Sequence, residues 1–125
     1  MATEQVSERE VLFRGKRVDN GEWAYGDLLH CDDEAEIYSE SVGKNGGYVI
    51  LETVGQYTGL TDKNGTRIFE GDIVEYEGER YSINYLTRYA RFSAVKPKTV
   101  FCVFAYQCGE VIGNIHDNPE LLKGE

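Results

Sequence analysis

Apolar residues in this chain recur in short clusters punctuated by glycine and asparagine, the rhythm of strands and tight turns. After a polar stretch at residues 1–8, which predicts a frayed terminus, Val11, Leu12, Phe13 and Val18 form a first β-like run. Asn20-Gly21 follows and residues 22–29 return, a strong hairpin signal because both central residues of such a turn take positive φ. Gly26 interrupts the return strand and predicts a bulge. Residues 30–36 read as an exposed loop, and residues 43–47 as a turn. Residues 48–54, β-branched and aromatic, read as one strand. Asn64-Gly65 marks another turn, and Gly71 opens a strand over residues 73–76. In residues 80–85, Tyr81, Ile83 and Tyr85 share one face, with residues 88–94 as the pairing strand. Residues 100–105 are the candidate central strand, and residues 111–115 follow a turn at Gly109. Asn118 as N-cap and Pro119 at the first helical position predict one short helical turn at the end. The sum is about nine strands at roughly 8–12-residue spacing, which predicts a mainly β protein, a small barrel or sandwich.

Composition supports this picture. The 125 residues include 14 Gly, 9 Tyr and only 2 Pro, a mix suited to strands and tight turns. A chain of this length buries roughly two-thirds of its unfolded surface, so it needs no disulfide or metal to fold. The three cysteines, Cys31, Cys102 and Cys108, are odd in number and form no CxxC pair, so they read as small core residues, with room for one near the surface, in a reducing compartment. The first residues lack the basic and apolar regions of an export signal. The longest apolar run, Val100 to Tyr106, falls far short of the ~18–20 residues of a membrane span. A cytoplasmic location without membrane association is the expectation.

Charge changes the picture more. The formal net charge is −9, which disfavours a generic polyanion binder. Residues 1–62 carry 5 basic and 13 acidic groups, whereas residues 63–125 carry 8 and 9. Between residues 27 and 40 stand Asp27, Asp32, Asp33, Glu34, Glu36 and Glu40, with no Lys or Arg. Between residues 80 and 109 stand Arg80, Arg88, Arg91, Lys96 and Lys98, with no acid. The basic stretch is interleaved with tyrosines, so Tyr81, Tyr85, Arg88, Arg91, Lys96 and Lys98 form a candidate nucleic-acid or partner patch, where bases stack and cations track phosphates. The same pattern equally fits a barrel core with arginines alternating outward. Asp32, Asp33, Glu34 and Glu36 form a candidate acidic partner face. Complementary stretches of this kind orient assembly, either within one chain or between copies.

Motifs for catalysis are sparse. His30, Cys31, Cys102, Cys108 and His116 could ligate zinc only if they converged, and none has knuckle spacing. His30 and Cys31 are strand neighbours that point to opposite faces, which argues against a nucleophile–base pair. Residues 43–47 are not followed by a helix that could aim at phosphate. Asp62-Lys63-Asn64-Gly65 lacks the later carboxylates of a calcium loop. The expectation is a protein with no catalytic residues, no metal and no cofactor.

Three stretches together resemble a known family. They are residues 13–26 (FRGKRVDNGEWAYG), residues 52–74 (ETVGQYTGLTDKNGTRIFEGDIV) and residues 111–122 (VIGNIHDNPELL). In order and spacing they resemble the YopX family, small proteins of phages and prophages. The resemblance implies an N-terminal β-subdomain over residues 9–60, which could support self-association. It also implies an SH3-like barrel over residues 61–125, and it brings no activity, substrate or catalytic residue. Its glycines, Asp72, Asn118 and Pro119 read as fold-specifying positions. The resulting expectation is a non-enzymatic phage accessory protein that binds an unknown host or phage protein and self-associates. Alternatives are a nucleic-acid-binding barrel using the basic–aromatic patch, and an inhibitor whose acidic face imitates nucleic acid toward a host protein.

Overall fold

The computed structural model describes residues 10–39, 47–96, 102–103 and 106–123, with residues 102–103 described by their backbone alone. The expectations for residues 1–8, residues 43–46, Lys98 and most of residues 100–105 lie outside the described residues. The strands are β1 (Phe13–Lys16), β2 (Trp23–Cys31), β3 (Glu34–Tyr38), β4 (Gly47–Val49), β5 (Gly55–Thr61) and β6 (Arg67–Phe69), then β7 (Asp72–Tyr76), β8 (Glu79–Leu86), β9 (Arg91–Val95), β10 (Cys102–Val103) and β11 (Glu110–Asn114). Short 3-10 turns occupy Leu51–Thr53, Tyr106–Cys108 and Pro119–Leu122. The strands form two antiparallel sheets, one ordered β4-β3-β2-β1-β5-β6 and the other β10-β9-β8-β7-β11. The first sheet recruits β6 from beyond residue 60. No helix among the described residues is long and apolar enough to cross a membrane.

Register explains the first core. Residues directly opposite in antiparallel strands share a face. The pairs Phe13/Gly26, Gly15/Ala24, Leu28/Ile37 and Ala35/Val49 therefore line one side. Small residues there let the sheet curl tightly. Val49 closes back onto Arg17 as an isolated bridge, with Val18 N–H donating to the Tyr48 carbonyl (2.9 Å) and Ile50 N–H to that of Lys16 (2.8 Å). Ala24, Ala35, Ile37 and Val49 are buried inside the curl, with Phe13, Leu28 and Val54 packed against them.

The second core gathers Ile68, Val74, Tyr81, Ile83, Ala94 and Tyr106. On β8, alternation puts Tyr81 and Ile83 into this core and carries Tyr85 to its exposed end. The C-terminal 3-10 turn closes against β11 and β8. Arg80 donates to the Leu121 carbonyl (3.1 Å), and a Cβ on Gly113 would stand 2.9 Å from Leu121 Cδ1.

Several expectations need correction. The hairpin at Asn20-Gly21 exists, but only Gly21 takes positive φ, and Asn20 Oδ1 instead accepts the Glu22 N–H (2.9 Å) in a longer loop. Gly26 is not a bulge, since its ladder with β1 runs unbroken; it is glycine because a Cβ would overlap the Tyr38 carbonyl. Residues 30–36 are not a loop: β2 and β3 meet at an Asp32-Asp33 turn, where Asp32 adopts φ +55° and Ala35 turns inward. The strand over residues 48–54 stops at Val49, because the Thr53 hydroxyl donates to the Ile50 carbonyl (2.6 Å) and closes a 3-10 turn. β10 is an edge, not the centre, of its sheet. Asn118 stands at the N-cap position of the final turn, its carbonyl accepting the Leu121 N–H (3.0 Å), but its side chain does not cap the turn, since Oδ1 accepts the Asn114 N–H (3.2 Å) instead. Two cysteines rather than one lie at the surface, since Cys31 and Cys108 are both exposed, and the Cys102 side chain lies outside the described residues. Finally, no closed SH3-like barrel forms among the described residues: β10 and β11 flank the second sheet, and no ladder joins them.

Gly26→Ala drives a methyl carbon into the Tyr38 carbonyl and is expected to cost about 2–3 kcal/mol. Gly21→Ala meets open space and forfeits only its positive φ, about 1 kcal/mol. Urea unfolding of the two variants checks this ranking, and equal losses would contradict the close-approach explanation for Gly26.

Candidate functional site

The alternation that sends Phe13 and Gly15 into the first core sends Arg14 and Lys16 to the opposite face of β1. Cross-strand pairing sets Arg14 beside Tyr25 and Lys16 beside Trp23. This face meets the start of β7 and the segment after β11. Arg14 and Asp72 are 6% and 2% exposed and form an ion pair at 2.9 Å. The guanidinium lies 4.5 Å from the Trp23 ring centroid and 4.8 Å from that of Phe69. The second Asp72 oxygen accepts the Phe69 N–H at 2.7 Å. Burial pushes the Asp72 carboxyl above the ordinary value, with Arg14 and the Phe69 N–H pulling the other way.

A second charged group lies alongside. Asp117 accepts from Lys16 (2.6 Å), from the Trp23 indole N–H (2.9 Å) and from the Asn114 amide (3.2 Å). The Lys16 and Trp23 hydrogen bonds hold its carboxyl at about 2. Asn114 Oδ1 in turn accepts the backbone N–H groups of His116 and Asp117, both at 2.9 Å. Burial, then the Arg14 charge, lowers the pKa of His116, which favours neutral imidazole. Asp62 fastens another corner. Burial works to raise its carboxyl, but backbone N–H groups of Val111, Thr66 and Asn64 outweigh that and hold it below the ordinary value. The loop that superficially resembled a calcium site is thus an Asx-type turn tied to β11.

A cleft of about 720 Å³ opens beside this junction, lined in part by Arg14, Tyr25, Tyr57, Arg67, Phe69 and Asp72. Arg67 lies over Tyr57 (5.5 Å) and bonds both oxygens of Glu10, at 2.8 and 3.0 Å. Arg14 and Asp72 are committed to each other, so the junction chiefly fixes the two sheets together.

The basic–aromatic stretch does not act as one patch. Tyr81 is in the core. Lys96 pairs with Glu79 (2.8 Å) at the open end of the β8–β9 hairpin, where Arg80 holds Leu121. Arg88 and Arg91 lie at the other end, about 20 Å along the strands at 3.3 Å per residue. There Tyr85 packs edge-on against Phe92 (5.1 Å), and Tyr89 has Arg91 at 4.6 Å and Arg88 at 5.9 Å from its ring centroid. Tyr85, Arg88 and Tyr89 are exposed and Arg91 is half-buried, so this tip is what the structure brings together. Lys98 lies outside the described residues.

Asp32 and Asp33 are exposed on the β2–β3 turn, with exposed Glu34 next to it and half-buried Glu36 further along β3. The outer face of β2–β4 adds a feature that sequence reading missed. Glu36 stands opposite Leu29 on one side and Tyr48 on the other, and Tyr38 follows two residues on. Leu29, Tyr38 and Tyr48 are 54%, 53% and 59% exposed. The period-2 pattern around Ala35 and Ile37 was the signal that could have revealed this face. No group of three or more His, Cys, Asp or Glu side chains suited to a metal occurs among the described residues.

Trp23 is the single tryptophan, so its emission should report on Asp117. Because Asp117 is lowered from 3.8 to about 2, its bonds add stability above the ordinary value and lose it as pH falls through the folded one. A fluorescence titration should show a step centred near pH 2, absent in Asp117→Asn. A step in wild type at the ordinary carboxyl value would contradict the geometry.

The family model described as YopX protein matches residues 6–123. Among solved structures, the crystal structure of protein EF1440 from Enterococcus faecalis is similar, with a TM-score of 0.60 and 28% sequence identity over 93% of this chain and 100% of that one. No curated protein matches. Arg14, Trp23, Asp72, Asn114, His116 and Asp117, drawn from the three stretches first noted in the sequence, meet at the junction between the sheets. The family match extends over almost all of the chain, which therefore belongs to the YopX family.

Proposed function

We propose that this chain is a non-enzymatic, cytoplasmic accessory protein of phage or prophage origin. It binds a protein partner and self-associates through the outer face of β2–β4. The observation that carries this reading is the ring of Leu29, Tyr38 and Tyr48 around Glu36, three large apolar side chains each more than half exposed. Cross-strand neighbours are roughly 4.8 Å apart, so these groups form one surface rather than scattered positions. Contiguous exposed aromatic and aliphatic side chains rimmed by polar residues mark an interaction surface. The non-enzymatic reading is supported by the junction, whose best-placed charged groups are engaged in joining the sheets. We retain the division into an N-terminal unit (residues 9–60) and a C-terminal unit (residues 61–125) as part of this proposal. The two separate cores support it.

A second reading rests on the β8–β9 tip, where exposed Tyr85 and Tyr89 lie beside Arg88 and Arg91. Two cations beside two tyrosines fit a short single-stranded nucleic acid. Arg80 and Lys96 stand at the opposite end of the hairpin, which leaves two basic residues at the tip among the described residues, and this together with the net charge of −9 makes it the weaker reading.

Sedimentation velocity at tens of micromolar tests both readings in one series. Wild type is expected to sediment as an oligomer, and Leu29→Glu with Tyr48→Glu as a folded monomer. A monomeric wild type would overturn self-association. Co-sedimentation of a labelled single-stranded oligonucleotide, with a salt slope near about −1.4 for two phosphates, would favour the second reading.

A further inference from the structure

We infer that the outer face of β2–β4 takes a second copy of this chain, docked through the tip of that copy's β8–β9 hairpin. The inference rests on the reading of this face as an interaction surface and names its partner. Charge complementarity selects the pairing. The face and its turn carry Asp33, Glu34 and Glu36, and no Lys or Arg occurs from residue 27 to residue 40. The tip carries Arg88 and Arg91, and no acid occurs from residue 80 to residue 109. Apolar groups match as well. Tyr85 and Tyr89 project at the tip, and Leu29, Tyr38 and Tyr48 on the face offer aromatic and aliphatic surface to pack against them.

The same charges exclude the simpler twofold arrangements. Face against face would bring Glu34 and Glu36 of one copy toward those of the other, and tip against tip would oppose arginines. With a net charge of −9, copies repel one another except where opposite charges are locally focused. Face and tip belong to different sheets, so one copy can use both at once. The contact is therefore heterologous, the face of one copy receiving the tip of the next, and it propagates into a ring or an open array.

Complementation between variants tests this. Arg88→Ala with Arg91→Ala removes the charge of the tip and leaves the face; Glu34→Lys with Glu36→Lys reverses the face and leaves the tip, and a neutral tip offers the reversed face no opposite charge. Each variant alone is expected to be monomeric by sedimentation, with wild-type circular dichroism. Mixed in equal amounts, they should form a 1:1 dimer and nothing larger, since one intact tip meets one intact face. Raising salt from about 50 to about 500 mM should weaken that dimer at least about tenfold. A mixture that stays monomeric beside an assembling wild type overturns the tip-to-face contact and leaves self-association standing. Either variant assembling alone as wild type does has the same meaning. Wild type that is monomeric at low salt overturns both.

Discussion

The buried pair of Arg14 and Asp72 sets the relation between the two sheets. A charge so fully removed from water is tolerated only beside a partner of opposite sign. Asp72 meets that demand with Arg14 and also accepts the Phe69 N–H. The guanidinium is flanked by Trp23 and Phe69, whose ring faces accept a cation. One residue from β1 and one from β7 are therefore fixed within 2.9 Å, and the strands bearing them follow. Lys16, Trp23 and Asp117 extend the same seam toward the C-terminal segment.

That seam divides the labour of the first sheet. Its inner face is made small by Gly15, Ala24, Gly26 and Ala35, so the strands curl until Val49 reaches Arg17. At the β1 end its outer face is occupied by the junction with the second sheet. Toward β3 and β4 the outer face runs out from under that cover, exposing Leu29, Tyr38 and Tyr48 among acids. The second sheet has its own core, and its β8–β9 hairpin ends in a tip of opposite charge. The net charge of −9 is thus a sum over surfaces of different character.

Elements governed by local chemistry were legible in the sequence. The turns at Gly21 and Gly65 and the alternation of Tyr81 and Ile83 all appear where the residues place them, because each depends on neighbours a few positions away. Family membership was legible from three stretches whose side chains converge only in three dimensions. What stayed hidden depends on distant partners. The Asp32-Asp33 turn looked like a loop because exposed strands and loops share polar composition. Residues 48–54 looked like one strand because nothing local shows that Thr53 will close a turn and receive the Lys16 N–H. The five basic residues looked like one patch because sequence distance does not reveal that a hairpin separates Arg80 and Lys96 from Arg88 and Arg91. Arg14 gave a sharper signal: a cation between inward-facing Phe13 and Gly15 must point away from the first core.

A double-mutant cycle on Arg14→Met and Asp72→Asn, followed by urea unfolding, measures the coupling on which this architecture rests. Each single substitution should cost about 3–5 kcal/mol by leaving a buried polar partner unmatched. The double variant should lose less than the sum, by a coupling of about 1–3 kcal/mol. Small additive losses, each below about 1 kcal/mol and with no coupling, would show that the two sheets are held together by something else.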